Sequence, residues 1–114
     1  MKQGEIWLIS LDPTIGSEIR KTRPAIIVND NHLGKLPLKI IVPLTDWKDR
    51  YTIAPWMVKI DPDTISNLSK TSAADCFQVR CVTQERFIRS IGNVTHKQLA
   101  EIQLAFTKVF SIKI

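Results

Sequence analysis

The sequence predicts a mainly β domain with one C-terminal helix (α+β), arranged as a small antiparallel barrel or half-barrel. One observation is a series of short runs rich in Ile, Val, Leu and Trp, separated by clusters of Pro, Asp, Asn and Gly. The other is a change to helical spacing of apolar residues after residue 95. Because 114 residues provide one core of ordinary size, we expect a single domain over 1–114.

Six strands are expected, each ended by residues that favour turns. They cover residues 5–11, 24–28, 38–44, 55–60, 73–82 and 87–91. Asp12 and Pro13 end the first strand, because proline has no N–H to donate to a β-ladder. For the same reason Pro43, near the end of the third strand, predicts an edge or bulge position.

A C-terminal helix is predicted by its capping residues and by its apolar stripe. Thr95 is followed three residues later by Gln98, which is the signature of a capping box. The apolar residues that follow fall on one helical face: Leu99, Ile102, Ala105, Phe106, Val109 and Phe110. We therefore expect a helix of roughly four turns that packs back onto the sheet.

The composition, 44% hydrophobic and 24% charged residues, is typical of a globular protein. The formal net charge of +5 gives weak support for an anionic partner such as nucleic acid. No run approaches the ~18 apolar residues that a membrane span needs. The first residues lack the apolar region of a signal peptide. We expect a cytoplasmic protein that does not contact a membrane.

Several kinds of reactive site are disfavoured by the residues present. His32 in a turn and His96 at a helix start do not provide the clustered ligands of a metal site. Cys76 and Cys81, five apart in one expected strand, point to opposite faces and cannot bridge each other. We expect two free thiols, at least one of them buried. The four glycines form no phosphate-binding fingerprint, so no cofactor is expected.

The stretch 16–24, between the first two strands, concentrates charge and hydroxyl groups. Arg20, Lys21 and Arg23 can gather around a phosphate, and the planar fork of arginine suits two oxygens at once. RNA carries its own nucleophile, the 2′-hydroxyl, so an enzyme that cleaves it needs no metal-bound water. The alternative interpretation is a solvated loop whose basic residues keep the protein soluble.

The same stretch is part of a longer pattern that resembles the MazF/PemK family of toxin endoribonucleases. The pattern comprises Gly-Glu-Ile-Trp at 4–7, Leu-Asp-Pro at 11–13, Gly-Ser-Glu at 16–18 and Lys-Thr-Arg-Pro-Ala-Ile-Ile-Val at 21–28. A weaker similarity continues through Val-Pro-Leu-Thr at 42–45 and Gln-Val-Arg at 78–80. The resemblance covers essentially the whole chain.

The resemblance implies a fold, an activity and a set of partners. The implied fold is an SH3-like barrel of the CcdB/MazF-like kind, assembled as a homodimer. The implied activity is sequence-selective, metal-free cleavage of single-stranded RNA, chiefly mRNA, leaving a 2′,3′-cyclic phosphate and a 5′-hydroxyl. A cognate antitoxin with an acidic, disordered tail would neutralise the enzyme by filling its RNA groove.

Three residues match the implied catalytic positions. Arg23 would stabilise the phosphorane and could donate a proton, since guanidinium is a poor base at neutral pH. Thr45 would hydrogen-bond the scissile phosphate, unless it merely caps a strand end. Glu18 would accept the 2′-hydroxyl proton, but a salt bridge to Arg20 or Lys21 is the structural alternative.

A second group of residues is expected to bind RNA: Ser17, Arg20, Lys21, Trp47, Gln78 and Arg80. Arg80 could instead be an ordinary outward-facing strand residue. Trp47 lies in a polar loop and could stack a base or contact the antitoxin, whereas Trp56 alternates with apolar neighbours and is expected in the core. Asp46 and Asp49 depart from the neutral character that favours phosphate binding.

Two other functions stay open at this point. A gyrase-poisoning toxin on the same barrel would bind a protein and cleave nothing. A non-catalytic nucleic-acid-binding module would retain RNA in a salt-sensitive way, because phosphate contacts release counterions, and would leave the RNA intact.

Overall fold

A computed structural model describes residues 1–13, 15–19 and 21–113 of the chain. It contains seven strands, in chain order β1 (Glu5–Ser10), β2 (Thr22–Ile27), β3 (Leu38–Asp46), β4 (Met57–Ile60), β5 (Ser72–Asp75), β6 (Arg80–Thr83) and β7 (Phe87–Asn93). The helix α1 (His96–Val109) follows them. Short 3₁₀ turns span Asp49–Ile53, Cys76–Gln78 and Gln84–Arg86.

The strands form one antiparallel sheet in the order β4-β5-β3-β2-β1-β7, with β6 paired to β3. The expected class, mostly antiparallel sheet with one C-terminal helix, is confirmed. Within the described residues the outer strands β4 and β7 do not pair, so the sheet is not a closed barrel. The half-barrel alternative describes it better.

β3 is the longest strand, and its two halves have different partners on one side. Leu38–Ile41 pairs with β6, and Leu44–Asp46 pairs with β5. Pro43 lies in the gap between these two segments, where no partner strand on that side needs the N–H that proline lacks. The proline is therefore not in an edge strand but at a change of partner in a central one.

The single strand expected over 73–82 is wrong, since this region forms β5, a 3₁₀ turn and β6. The carboxylate of Asp75 accepts a hydrogen bond from the backbone N–H of Phe77 and so caps the turn that interrupts the strand. Cys76 is the first residue of the turn, and Cys81 lies in β6. Cys76 is buried and Cys81 is exposed, and both are free, as expected.

Two apolar clusters bury the two faces of the sheet. One, which α1 covers with Ile102 and Ala105, includes Ile6, Ile26, Val42 and Ile60. The other comprises Ile9, Leu11, Ala25, Ile27, Ile41 and Val82. Alternate residues of β2 therefore enter different clusters, as the pleat of a strand requires.

The helix begins at its predicted capping box. The hydroxyl of Thr95 accepts the Gln98 N–H, and the Gln98 side chain accepts the Thr95 N–H in return. Phe110, expected on the buried face, lies just past the last helical residue and is exposed. No helix in the described part of the chain is long and apolar enough to cross a membrane.

Trp56 is not a core residue. The strand expected from residue 55 begins only at Met57, so the alternation that assigned this indole to the interior does not include it. Its ring is 38% exposed and contacts the ring of Phe77 edge-on, with centroids 6.2 Å apart.

Candidate nucleic-acid interface

Two adjacent strands bring Arg23 and Thr45 to the same cavity. Ala25 of β2 pairs with Pro43 of β3, and the same register continued by two residues places Arg23 across from Thr45. Both side chains are partly exposed and line a cavity of about 230 Å³. Its other lining residues are Thr22, Pro24, Leu44, Asp46, Leu68, Ser69, Lys70 and Ser72.

Lys70 adds a second cation to this cavity. Its Nζ lies 3.2 Å from Oδ2 of Asp46, and both side chains are more than half exposed. The acidic residue that departs from the neutral pattern beside Thr45 therefore has a partner. An exposed pair of this kind contributes at most about 1 kcal/mol to stability, so the ammonium can turn toward another anion at little cost.

A second cavity, of about 430 Å³, lies beside the loop that connects β1 and β2. Ser17 and Glu18 line it from the loop, and Gln78 and Arg80 line it from the turn before β6 and from β6 itself. Ile19, Pro43, Phe77 and Val79 complete the lining. Pro43 lines this cavity, and Thr45, two residues further along β3 on the same face of the strand, lines the Arg23 cavity, so the two adjoin along β3.

The end of this loop is held in an unusual backbone conformation. Lys21 has a φ of 70°, a left-handed value that residues other than glycine rarely adopt. Its N–H donates to Oδ1 of Asp12 at 3.0 Å, and its carbonyl accepts the N–H of Leu11 at 2.9 Å. These two bonds fix where β2 begins, and hence where Arg23 lies.

Glu18 is engaged inside its own loop. Its Oε1 accepts the backbone N–H of Ile15 at 3.0 Å. The described residues include no ion pair between Glu18 and Lys21. Glu18 lines the second cavity and not the one that holds Arg23 and Thr45.

Asp75 and Gln78 connect the sheet to the loop. Oδ2 of the buried Asp75 carboxylate accepts the Gln78 amide at 3.1 Å, and Oε1 of Gln78 accepts the Ile19 N–H at 2.7 Å. Burial raises the pKa of Asp75, and the hydrogen bonds from Phe77 and Gln78 oppose that rise. Burial, with Asp75 nearby, raises the pKa of the Cys76 thiol to about 12, so Cys76 is a poor nucleophile.

Comparison with known proteins identifies the family. The model of the PemK-like, MazF-like toxin of type II toxin-antitoxin systems matches residues 2–110. This chain belongs to that toxin family. Endoribonuclease MazF9 of Mycobacterium tuberculosis is 31% identical to it over an alignment of 111 residues that covers 92% of each protein.

Solved structures of the family share the fold of this toxin. Toxin MazF-mt6 of Mycobacterium tuberculosis superposes with a TM-score of 0.78 over 96% of this chain and 99% of its own, at 19% identity. An endoribonuclease from a mycobacterial species, solved in complex with its cognate antitoxin, gives a TM-score of 0.75 at 16% identity. That match covers 100% of this chain and 98% of the other.

The toxin fold separates the expected site residues into groups. Arg23 and Thr45 share one cavity, whereas Ser17, Glu18, Gln78 and Arg80 share the other. Arg20 lies outside the described residues.

Trp47 lines neither cavity of the toxin. It is half-buried, with its ring edge-on to Tyr51 at 5.7 Å and with Nζ of Lys59 at 5.3 Å from its centroid. The Lys59 ammonium lies over one face of the indole, and stacking of a base by Trp47 stays a prediction for the other face.

Sequence reasoning missed two residues that line the cavities, Lys70 and Phe77, and the buried Asp75 that supports Gln78. Lys70 comes together with Asp46, 24 residues away, only in the folded chain. Phe77 is 67% exposed beside Gln78, which its position within an expected strand concealed. The side chain of Asp75 looked like one of several polar groups in that strand.

Proposed function

We propose that this toxin is a metal-independent endoribonuclease that cleaves single-stranded RNA, chiefly mRNA, at selected sequences in the cytoplasm. The observation that carries the proposal is the placement of Arg23 and Thr45 in one cavity by two paired strands. The relative named endoribonuclease MazF9 supports it. RNA supplies the nucleophile, so positioning and charge stabilisation are the tasks left to the protein.

In the proposed reaction the 2′-oxygen attacks the adjacent phosphorus and the bond to the 5′-oxygen breaks. The 2′-hydroxyl proton goes to a base, and the leaving 5′-oxygen takes up a proton. The products are a 2′,3′-cyclic phosphate and a 5′-hydroxyl. Arg23 donates its fork of N–H groups to the non-bridging oxygens, where negative charge develops, and the Thr45 hydroxyl donates a further hydrogen bond.

Lys70 extends the positive charge of this cavity. Its ammonium exchanges Asp46 for the phosphate when RNA arrives, because the exposed ion pair is weak. Glu18 remains the proposed acceptor of the 2′-hydroxyl proton. Since it lines the adjoining cavity, the attacked nucleotide must extend across Pro43 for the carboxylate to reach it.

The adjoining cavity is proposed to hold the neighbouring nucleotide. Ser17 and Gln78 offer hydrogen bonds to a base or ribose, and Arg80 offers charge to a phosphate. Lys21 lines neither cavity and is proposed to add positive charge from the end of the loop. Arg20 is proposed to contribute from the same loop. A homodimer would present two such surfaces, and a cognate antitoxin with an acidic, disordered tail would compete with RNA for this basic chain of net charge +5.

The proposal is tested by incubating the purified protein with mixed-sequence single-stranded RNA in excess EDTA. We expect cleavage with cyclic-phosphate ends. Arg23→Ala should lower the single-turnover rate by at least about 100-fold, the cost of removing one preorganised charge-stabilising donor. The matched control is Arg89→Ala, because Arg89 is an exposed strand arginine that lines neither cavity.

Two results would refute the proposal. Intact RNA recovered from a folded protein would refute the enzyme, and salt-sensitive retention of that RNA would indicate a binding module. Equal rates for Arg23→Ala and Arg89→Ala would remove Arg23 from the reaction.

A further inference from the structure

The buried carboxylate of Asp75 controls the orientation of the Gln78 side-chain amide. This amide lies at the edge of the second cavity, called the loop cavity below. Asp75, 6% exposed, accepts a hydrogen bond on each oxygen, and the backbone N–H of Gln78 adds a further interaction with the carboxylate. Oδ1 takes the backbone N–H of Phe77 at 3.2 Å, and Oδ2 takes the side-chain amide of Gln78 at 3.1 Å. The other end of that amide, Oε1, accepts the N–H of Ile19 at 2.7 Å.

The ionised carboxylate of Asp75 fixes the donor and the acceptor in each of these hydrogen bonds. An ionised carboxylate can only accept, so Gln78 must turn its NH₂ group toward Asp75. Its oxygen then faces the loop, where the Ile19 N–H needs an acceptor. A neutral amide at position 75 would not impose that choice, because it carries a donor and an acceptor of similar shape.

We propose that Asp75 is a positioning residue for RNA binding, which acts through Gln78 to hold the loop over residues 15–19 against the sheet. Ser17 and Glu18 belong to this loop and line the cavity that Gln78 and Arg80 complete. The inference rests on the proposed function, since it assumes that the loop cavity receives a nucleotide. Asp75 itself lines neither cavity.

A purely structural role explains Asp75 less well. Capping the turn at Cys76–Gln78 requires one acceptor, which asparagine supplies as well as aspartate does. A buried charge costs free energy that a neutral residue would avoid, and burial raises the pKa of this carboxyl. A carboxylate differs from an amide in having a second acceptor oxygen, and in Asp75 that oxygen, Oδ2, faces Gln78.

The test variant is Asp75→Asn in the full chain. Asparagine keeps the acceptor for Phe77 but turns an NH₂ group toward the NH₂ of Gln78. If Gln78 flips to relieve that contact, its NH₂ faces the Ile19 N–H instead. Either way one hydrogen bond of the connection is lost, and we expect the Ile19 amide to exchange with solvent about tenfold faster in the RNA-free protein.

The double variant Asp75→Asn with Gln78→Glu restores both hydrogen bonds that link positions 75, 78 and 19. The donor and the acceptor are exchanged in the bond between positions 75 and 78. The introduced asparagine would donate to one oxygen of the new carboxylate, and the other oxygen would accept the Ile19 N–H. We expect protection of the Ile19 amide to return to the wild-type value. The single variant Gln78→Glu, which sets two carboxylates against each other, should lose it.

The functional measurement is the cleavage of RNA with each variant fully folded at the assay temperature. Asp75→Asn should raise KM about tenfold, the equivalent of one lost hydrogen bond. We expect kcat to fall as well, because the loosened loop carries Glu18, the proposed proton acceptor. Asp63→Asn is the matched control, because Asp63 likewise accepts two hydrogen bonds, here from the backbone N–H groups of Ile65 and Ser66, in a turn that lines neither cavity.

The outcomes separate this inference from the proposed function. Unchanged Ile19 exchange in Asp75→Asn, or no recovery in the double variant, would overturn the connection. Faster exchange with an unchanged KM would overturn its role in RNA binding. RNA left intact by the wild-type protein would refute the proposed endoribonuclease activity. The exchange measurement would still test whether Asp75 holds the Ile19 amide through Gln78.

Discussion

Arg23 and Thr45 face one cavity from opposite positions of two paired strands, β2 and β3. Strands hold side chains more rigidly than loops do, so the distance between the guanidinium and the hydroxyl is set by the sheet. Pro24 follows Arg23 and Pro43 lies two residues before Thr45, and both restrict the local backbone. The surrounding loops supply charge to a pair that the scaffold has already positioned.

The first prediction concerns the hydroxyl of Thr45. Thr45→Val keeps the shape and the β-branch that suit β3, and it removes the group proposed to donate to the scissile phosphate. We expect the single-turnover cleavage rate to fall about tenfold, the equivalent of one hydrogen bond. Thr45→Ser keeps the hydroxyl and should retain most of the rate. If Thr45→Val cleaves RNA as fast as the wild type, the Thr45 hydroxyl has no part in the reaction and Thr45 serves only the strand.

The second prediction concerns the ion pair between Asp46 and Lys70. Asp46→Asn removes the carboxylate 3.2 Å from Nζ and leaves the ammonium free for a phosphate. We expect tighter RNA binding, and a slope of log affinity against log salt steeper by about 0.7, the value for one more phosphate contact on a single strand. Filter binding across a salt series measures both quantities.

Its control is the double variant Asp46→Asn with Lys70→Ala. Without the ammonium the gain in salt dependence should disappear. If Asp46→Asn tightens binding equally in the absence of Lys70, then the carboxylate acts on RNA directly by repulsion, and Lys70 is not a phosphate contact.

The elements that could be predicted from sequence are those with local causes. The capping box of Thr95 and Gln98 depends on residues three apart, and it occurs as expected. The first strand ends at Ser10, one residue before the end expected from Asp12 and Pro13. By contrast, the interruption between β5 and β6 could not be predicted from the sequence. Apolar residues continue through it, and its cause is a side-chain cap by Asp75.

The parts of the site that escaped prediction depend on contacts between distant residues. Lys70 reaches Asp46 across 24 positions, and Gln78 reaches Ile19 across 59. Neither pairing leaves a periodic signal. The resemblance to a toxin family indicated Gln78 as a position, but its orientation by Asp75 follows only from three-dimensional proximity.

The third prediction tests Glu18 as the proton acceptor. Glu18→Gln keeps an oxygen for the Ile15 N–H, so the loop hydrogen bond survives while the basic carboxylate is lost. We expect cleavage to slow by about 100-fold or more, as for loss of a general base. RNA binding should change little.

The comparison that judges this prediction is Glu18→Ala, which loses both the base and the loop hydrogen bond. If the glutamine variant cleaves at the wild-type rate while the alanine variant is slow, Glu18 serves the loop and another group takes the proton.

The last prediction concerns stability against pH and uses two aspartates with opposite pKa shifts. Burial raises the pKa of Asp75 above 3.8, so the folded protein keeps a proton there that the unfolded chain releases. As pH rises from 3.8 through the raised pKa, the wild-type protein should lose stability relative to Asp75→Asn. Below 3.8 the difference between the two melting temperatures should be constant.

Asp63 should behave in the opposite way. Hydrogen bonds from the backbone of Ser66 and Ile65 lower its pKa below 3.8, so its contribution to stability is present above that pH and is lost as pH falls. The melting temperature of wild type relative to Asp63→Asn should therefore drop below pH 3.8. The Cys76 thiol beside Asp75, with a pKa of about 12, does not ionise in this range. Parallel curves for wild type and Asp75→Asn above pH 3.8 would mean that the carboxyl is not desolvated and that its ionisation costs the fold nothing.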